Sequence, residues 1–330
     1  TKHMLDLPMK KEPGAVFEYS NGNSYLLSAI LQNMTGIRSL EFAKTHLFNP
    51  LGIKAVRWET NAGGIDVGYG RMWLKPHDMA KFGWLFLKKG RWKEKTIVSE
   101  KWVETATTGY LDATIFDRYG YQWWVDKDGW YAAVGYGGQR IYIVPEHDLV
   151  AVFTSTRAFT KPDRLMRYHI IKSVVSDQPL MPAPGSAARL QDLVKKAGTP
   201  PKPSTVPKLS PLAKEISGKT FRIETNKARF SDFTLIFETG KKEATLKYGI
   251  GMKRYNLAMG LDGIYRITQF GREKRAVKGE WVNDNTLRFS SINVGHTQNF
   301  FGRIKFIDQE AHLSIFGLSG GMLNLKGVRK

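Results

Sequence analysis

Cysteine is absent from the 330-residue chain. Disulfide staples and thiolate nucleophiles are excluded with it, while the compartment stays open. No uninterrupted apolar run is long enough to cross a bilayer as a helix, and no signal-peptide pattern is visible. Acidic residues are few: 30 Asp and Glu stand against 50 Lys and Arg, for a net charge of +20. The excess is not gathered in one arm. From Thr205 to the end, 22 Lys and Arg face 11 acids, so about half of the charge lies there. No basic stripe interleaved with aromatics is present, and nucleic acid is not an expected partner. A solvated basic surface is the plain reading, with weak association to an anionic cell envelope as the one partner that charge suggests. The seven histidines show no paired metal spacing, and no glycine loop has a Walker or dinucleotide context. Neither a metal nor a cofactor is expected.

What is present divides into three parts. Residues 1–176 alternate helical and strand patterns. Amphipathic or capped segments predict helices from Ser24, over Ser39–Phe48, over Lys75–Lys89 with Pro76 in the first turn, and from Ser99 to Thr107. Tyr121–Val125 and Trp130–Val134 flank Asp128-Gly129, a short hairpin signal. Gln139–Val144 and Leu149–Ser155 flank a turn from Pro145 to Asp148. Pro162 starts a helix that ends near Val175. Residues 177–211 hold eight of the 14 prolines and read as a linker with a short helix over Ala187–Lys196. Residues 212–330 read as nine short strands at regular spacing, the last over Ala311–Phe316, which predicts an all-β barrel or sandwich of eight or nine strands.

Two stretches of the first part carry chemistry. In Glu18-Tyr19-Ser20-Asn21-Gly22-Asn23 a tyrosine and an asparagine sit two apart before a helix whose apolar positions are Leu26, Leu27, Ile30, Leu31 and Met34. Gly36 stands where that helix closes, and Asn21 and Asn23 are both good N-cap types. A phenol fixed there can carry a proton, and a nearby amide can hold a substrate; a packed tyrosine beside a cap has the same pattern. The second stretch is Ala133-Val134-Gly135-Tyr136-Gly137-Gly138-Gln139-Arg140, with glycines where something can approach the backbone closely. A β-bulge that bends the strand accounts for glycines equally well.

Together, and with Leu74-Lys75-Pro76-His77-Asp78 and Tyr119-Gly120-Tyr121-Gln122-Trp123-Trp124 between them, these stretches resemble the serine β-lactamase-related hydrolases: class C β-lactamases, D-alanyl carboxypeptidases and esterases. The resemblance runs from about Leu5 to Thr156. It implies the fold class α+β: a β-lactamase-like α/β sandwich, an antiparallel sheet with helices, here incomplete and followed by the all-β barrel. The barrel in turn resembles the lipocalin-like domains that some members carry. The family nucleophile comes from a Ser-x-x-Lys helix well ahead of the tyrosine. This sequence contains no Ser-x-x-Lys. Thr199–Lys202 and Thr205–Lys208 have the spacing with threonine but lie among prolines that exclude a helix. The expectation is a chain that begins inside the catalytic domain and is inactive by itself.

By resemblance, Tyr19 matches the proton-shuttling tyrosine and Asn21 the substrate-contacting amide. Counting back from Pro145, Ala133 stands where Lys-Thr-Gly or His-x-Gly strands carry a base, which leans the expectation toward esterase or amidase chemistry. The backbone N–H of Tyr136 is the candidate oxyanion donor. Gly135, Gly137, Gly138, Gln139 and Trp123 are the candidate substrate contacts, with Trp123 and Trp124 also suited to packing. Arg140 can hold a substrate carboxylate or simply face solvent. The substrate is expected to be a small molecule or a peptide. The same resemblance suggests a periplasmic or secreted location. A non-catalytic protein of this fold that binds a peptide or cell-wall fragment is the alternative.

Overall fold

The computed structural model describes residues 2–155, 161–206, 208–271, 273–297, 299–317 and 321–330. Thr156, which bounds the family resemblance, Pro207 of the linker and Gln298, expected at the start of a strand, lie outside the described residues. The chain is mixed α+β and its described residues divide into two compact units, 2–155 with 161–179, and 180–330.

The first unit is built on a six-stranded antiparallel meander. Its strands are β1 (Leu111–Asp112), β2 (Arg118–Tyr119), β3 (Trp124–Val125), β4 (Tyr131–Gly135), β5 (Gln139–Val144) and β6 (Leu149–Phe153), in that spatial order. Strict alternation decides the two faces. Trp123, Tyr131, Ala133, Ile141, Ile143, Val150 and Val152 pack under the helices Pro76–Leu87 and Glu100–Thr107. Trp124, Ala132, Val134, Tyr142, Val144 and Ala151 pack on the other face, against Phe17 and the helical stretch from Pro162 to Ser173. The expected turns hold. Gly129 sits at φ 80° between β3 and β4, and Ser99 Oγ accepts the Trp102 N–H at 3.2 Å to cap its helix.

The helix after Tyr19 spans Asn21–Thr35 and closes on Gly36 at φ 73°. Two sequence expectations change here. The N-cap is Ser20, in extended conformation, so Asn21 and Asn23 stand in the first turn. The apolar stripe of Leu27, Ile30 and Met34 is exposed, and the buried residues are Ser24 and Ser28. The reason is a close crossing. A Cβ on Gly68 would lie 2.2 Å from the Ser24 carbonyl oxygen and 2.6 Å from Ser28 Oγ. Only small helix residues admit that loop backbone, and they turn the larger ones outward.

In the second unit, helix Pro184–Gly198 has no buried residue. Helix Pro211–Ile216 is capped by Ser210, whose Oγ accepts the Ala213 N–H at 3.1 Å, and it buries Ala213 and Ile216 in the barrel core. Ten strands follow: β7 (Thr220–Ile223), β8 (Phe230–Phe237), β9 (Glu243–Ile250), β10 (Lys253–Gly260), β11 (Arg266–Phe270), β12 (Glu273–Asn283), β13 (Thr286–Asn293), β14 (Asn299–Ile307), β15 (Glu310–Gly317) and β16 (Met322–Arg329). Successive strands pair antiparallel except β10 and β11, β7 pairs β16, and β10 meets β12. Nine strands thus close a barrel, and β11 lies outside the ring as a partner of β12 alone. Phe221, Phe233, Leu235, Phe237, Leu287 and Phe306 fill the interior. The strand β16 is a tenth, beyond the nine expected from the sequence pattern.

Candidate active site

Phe17 and Tyr19 lie against the same strand end. The Tyr19 ring stacks on Trp124 with centroids 5.9 Å apart, and Phe17 meets Trp124 edge-on at 5.5 Å. Tyr19 is 52% exposed. Its neighbour Tyr119 is different. Burial first, and the nearby Tyr19 phenol second, push the Tyr119 hydroxyl up to about 12. Tyr119 is therefore a neutral phenol at physiological pH.

Tyr121 and Gln122 form the tip of the hairpin between β2 and β3, with Gln122 at φ 68°. Ser24 Oγ donates to Gln122 Oε1 at 3.0 Å, which ties the helix that follows Tyr19 to this tip. Trp124 pairs with Ala132 and Val125 with Tyr131. Continuing that register brings Gln122 level with Val134. The Tyr19 helix therefore meets the sheet at the end where β4 turns into β5.

That turn is short. Gly135 pairs with Gln139, and Tyr136, Gly137 and Gly138 make the connection, with φ 79° and 91° at the two glycines. Residues with a Cβ rarely adopt those angles, so the glycines are needed by the turn itself. Tyr136 is 60% exposed. Gln139 is held at its amide: Ser155 N–H donates to Gln139 Oε1 at 3.4 Å, and Gln139 Nε2 donates to the Ser155 carbonyl.

Arg140 is neither a carboxylate reader nor a surface residue. Its side chain is 11% exposed. Nε and Nη2 donate to the two Asp163 oxygens at 3.0 and 3.2 Å, and Nη1 donates to the carbonyls of Gly135 and Gln139, each at 3.0 Å. One guanidinium thus clamps both ends of the turn. Tyr142 hydroxyl also donates to Asp163 Oδ1, at 2.5 Å. Burial raises the Asp163 pKa, but the hydrogen bonds from Arg140 and Tyr142 and the Arg140 charge outweigh it and leave it below the usual carboxylate range. Burial, and then the bond to Asp163, push the Tyr142 hydroxyl well up. The clamp was invisible in the sequence because its acid comes 23 residues later on another element.

The structure therefore brings Tyr136, Gly135, Gly137, Gly138 and Gln139 together in one turn, and puts Tyr19 just before the exposed helix start at Asn21. Trp123 is elsewhere. It is 4% exposed, with its ring against Phe82, Phe86 and Tyr131 in the core. Ala133 packs in the same core. Two surface pockets, of about 480 Å³ near Trp130 and Arg167 and about 530 Å³ on the barrel, include none of these residues.

Among known proteins, the Beta-lactamase family model matches residues 1–176. A 6-aminohexanoate-dimer hydrolase of Paenarthrobacter ureafaciens is 26% identical over 153 residues, covering 42% of this chain and 39% of that protein. The chain spans 39 to 53% of the length of the curated relatives it matches. An octameric penicillin-binding protein homologue from Pyrococcus abyssi aligns over 96% of this chain and 66% of its own, at 14% identity and a TM-score of 0.37. A fatty acid-binding protein of Drosophila melanogaster brain aligns over 35% of this chain and 98% of its own, at 14% identity and a TM-score of 0.27. The family match covers more than half of the sequence, and with it the tyrosine turn and the glycine turn that the sheet carries at one end: this chain belongs to the β-lactamase family of hydrolases.

Proposed function

We propose that this chain is the part of a serine hydrolase that carries the proton shuttle and one oxyanion donor, with the nucleophile supplied by a Ser-x-x-Lys segment outside this sequence. The reaction is acyl transfer through an acyl-enzyme on an ester or amide. Tyr19 moves the proton between the serine and the leaving atom, Asn21 holds the acyl portion, and the Tyr136 N–H meets the developing oxyanion. Gly137 and Gly138 keep the approach open, with Gly135 and Gln139 bordering it. The observation that carries this reading is the pair of contacts Tyr19–Trp124 and Ser24–Gln122. They tie the Tyr19 helix to the β2–β3 hairpin, whose tip is at the same sheet end as the Gly135–Gln139 turn, and so support a common site.

The name of the Paenarthrobacter relative suggests linear amides of amino acids as substrates, and Ala133 in place of a base disfavours penicillin-type carboxylate recognition. The test is hydrolysis of a p-nitrophenyl ester, a 6-aminohexanoate dimer and a chromogenic cephalosporin by the longer protein proposed here. Ester or amide turnover with little cephalosporin turnover is expected. Tight binding of such compounds without turnover would instead favour the non-catalytic binding protein.

A further inference from the structure

The outer face of the barrel carries two cross-strand rows with no part in the hydrolase reading. In the first, Lys278, Ser290, Phe301, Phe316 and Met322 stand opposite one another from β12 to β16. In the second, Glu280, Arg288, Arg303 and Ser314 do the same. The alternate residues Val277, Leu287, Ile304 and Leu313 fill the core, so both rows point outward. A pocket of about 530 Å³ opens between them, walled by Tyr265, Lys278, Arg288, Phe301, Arg303 and Phe316. That size is within the usual range for small-ligand sites.

The charges in this pocket are not balanced. Arg288 is committed: its Nε and Nη2 reach Glu280 Oε1 at 2.8 and 2.6 Å. Lys278 is committed too, donating to the Gly263 carbonyl at 3.2 Å and lying 4.8 Å over the Tyr265 ring. The Arg303 side chain makes no hydrogen bond or ion pair among the described residues, and the residue stands directly opposite Arg288. Like charges facing each other across a strand pair are unfavourable, and an anion between them removes that cost. Phe301 and Phe316 make an apolar side of the wall, Phe316 being 50% exposed, and Met322, opposite Phe316 just beyond the pocket, is 55% exposed. Glu280 at the edge repels a second negative charge.

We propose that this face binds a small monocarboxylate carrying an apolar chain or ring. The carboxylate sits on Arg303 and the apolar part lies along Phe316 and Phe301 toward Met322. A guanidinium–carboxylate contact is charge-assisted and among the stronger hydrogen bonds. The site is separate from the hydrolase turn and does not depend on its chemistry.

The test uses the full chain, with octanoate, octanol and octylammonium as probes in calorimetric titration at low salt. The Met322 methyl group, ¹³C-labelled and assigned with Met322→Leu, reports position. Octanoate is expected to bind and to shift the Met322 methyl, octanol to bind at least ten-fold more weakly, and octylammonium not to bind. Arg303→Gln should weaken octanoate about ten-fold or more, and Phe316→Ser several-fold. Both side chains point outward, and an unchanged melting curve identifies folded variants. The proposal is overturned if octanoate does not bind, if octanol binds as tightly, if Arg303→Gln leaves affinity unchanged, or if the Met322 methyl is still at saturation.

Discussion

Replacing Asp163 with alanine tests the clamp that shapes the candidate oxyanion turn. The substitution removes three hydrogen bonds, two from Arg140 and one from Tyr142. It leaves a guanidinium that is 11% exposed without its counter-charge and strands the hydroxyl of the fully buried Tyr142. Breaking a wholly buried ion pair from one side costs about 3–5 kcal/mol. The Asp163 side chain is 34% exposed, so water replaces part of what is lost, and about 2–3 kcal/mol is expected. For a unit of this size that lowers Tm by roughly 5–10 °C. The pH dependence has a definite sign. The folded-state pKa of Asp163 is depressed, so its contribution is present above the unfolded value of about 3.9 and lost as pH falls through the folded value. The gap between parent and variant should be flat from about pH 8 to pH 5 and close below about pH 4. Tryptophan fluorescence during urea unfolding is the assay, since Trp281 is the only one of nine tryptophans beyond residue 176. Amide exchange at Tyr136–Gly138 should also accelerate. A penalty within about 0.5 kcal/mol, or one that does not change with pH, would refute the clamp.

Gly68→Ala places a methyl group 2.2 Å from the Ser24 carbonyl oxygen, and the backbone must shift; a loss of about 1–3 kcal/mol is expected in the same melts, with weaker protection of the Asn21–Thr35 amides. Trp123→Ala should cost about 3–5 kcal/mol, as a cavity in the core does, and a variant of unchanged stability would mean that the ring is not core. Residues 204–330 alone should give a cooperative melt, because the Ser204 N–H donates to the Asp262 carbonyl at 2.9 Å and the barrel core closes on Ala213 and Ile216; a disordered product would contradict this.

Local signals that agree with their surroundings were legible in the sequence. Ser99, Pro76, Gly36 and Asp128-Gly129 mark real caps and turns because each acts through its own backbone. Alternation in β4 to β6 gave both faces of the sheet. What could not be read depended on distant partners. The Leu27, Ile30 and Met34 stripe has a core pattern, yet Gly68 crosses at Ser24 and Ser28 and decides which face is buried. Arg140 becomes a clamp only because Asp163 arrives on a later helix. The strand β16 is hard to read in the sequence because Gly327 interrupts its apolar alternation. That glycine faces Ile223 across the closing strands, where a Cβ would lie 2.8 Å from the Ile223 side chain. For the site, the motif residues were visible, while the sheet end that each stands at required the register of β3 with β4.

In the proposed acyl transfer, Tyr19 works opposite the Gly135–Gln139 turn. The most direct test is the pre-steady-state acylation rate of the longer serine-bearing protein with a p-nitrophenyl ester, compared between the parent and Tyr19→Phe. A loss on the order of 10²-fold or more is expected, the scale of a positioned acid–base group, with the melting curve unchanged because the ring still stacks on Trp124. Acylation at the parental rate in Tyr19→Phe would contradict the claim and remove Tyr19 from the mechanism.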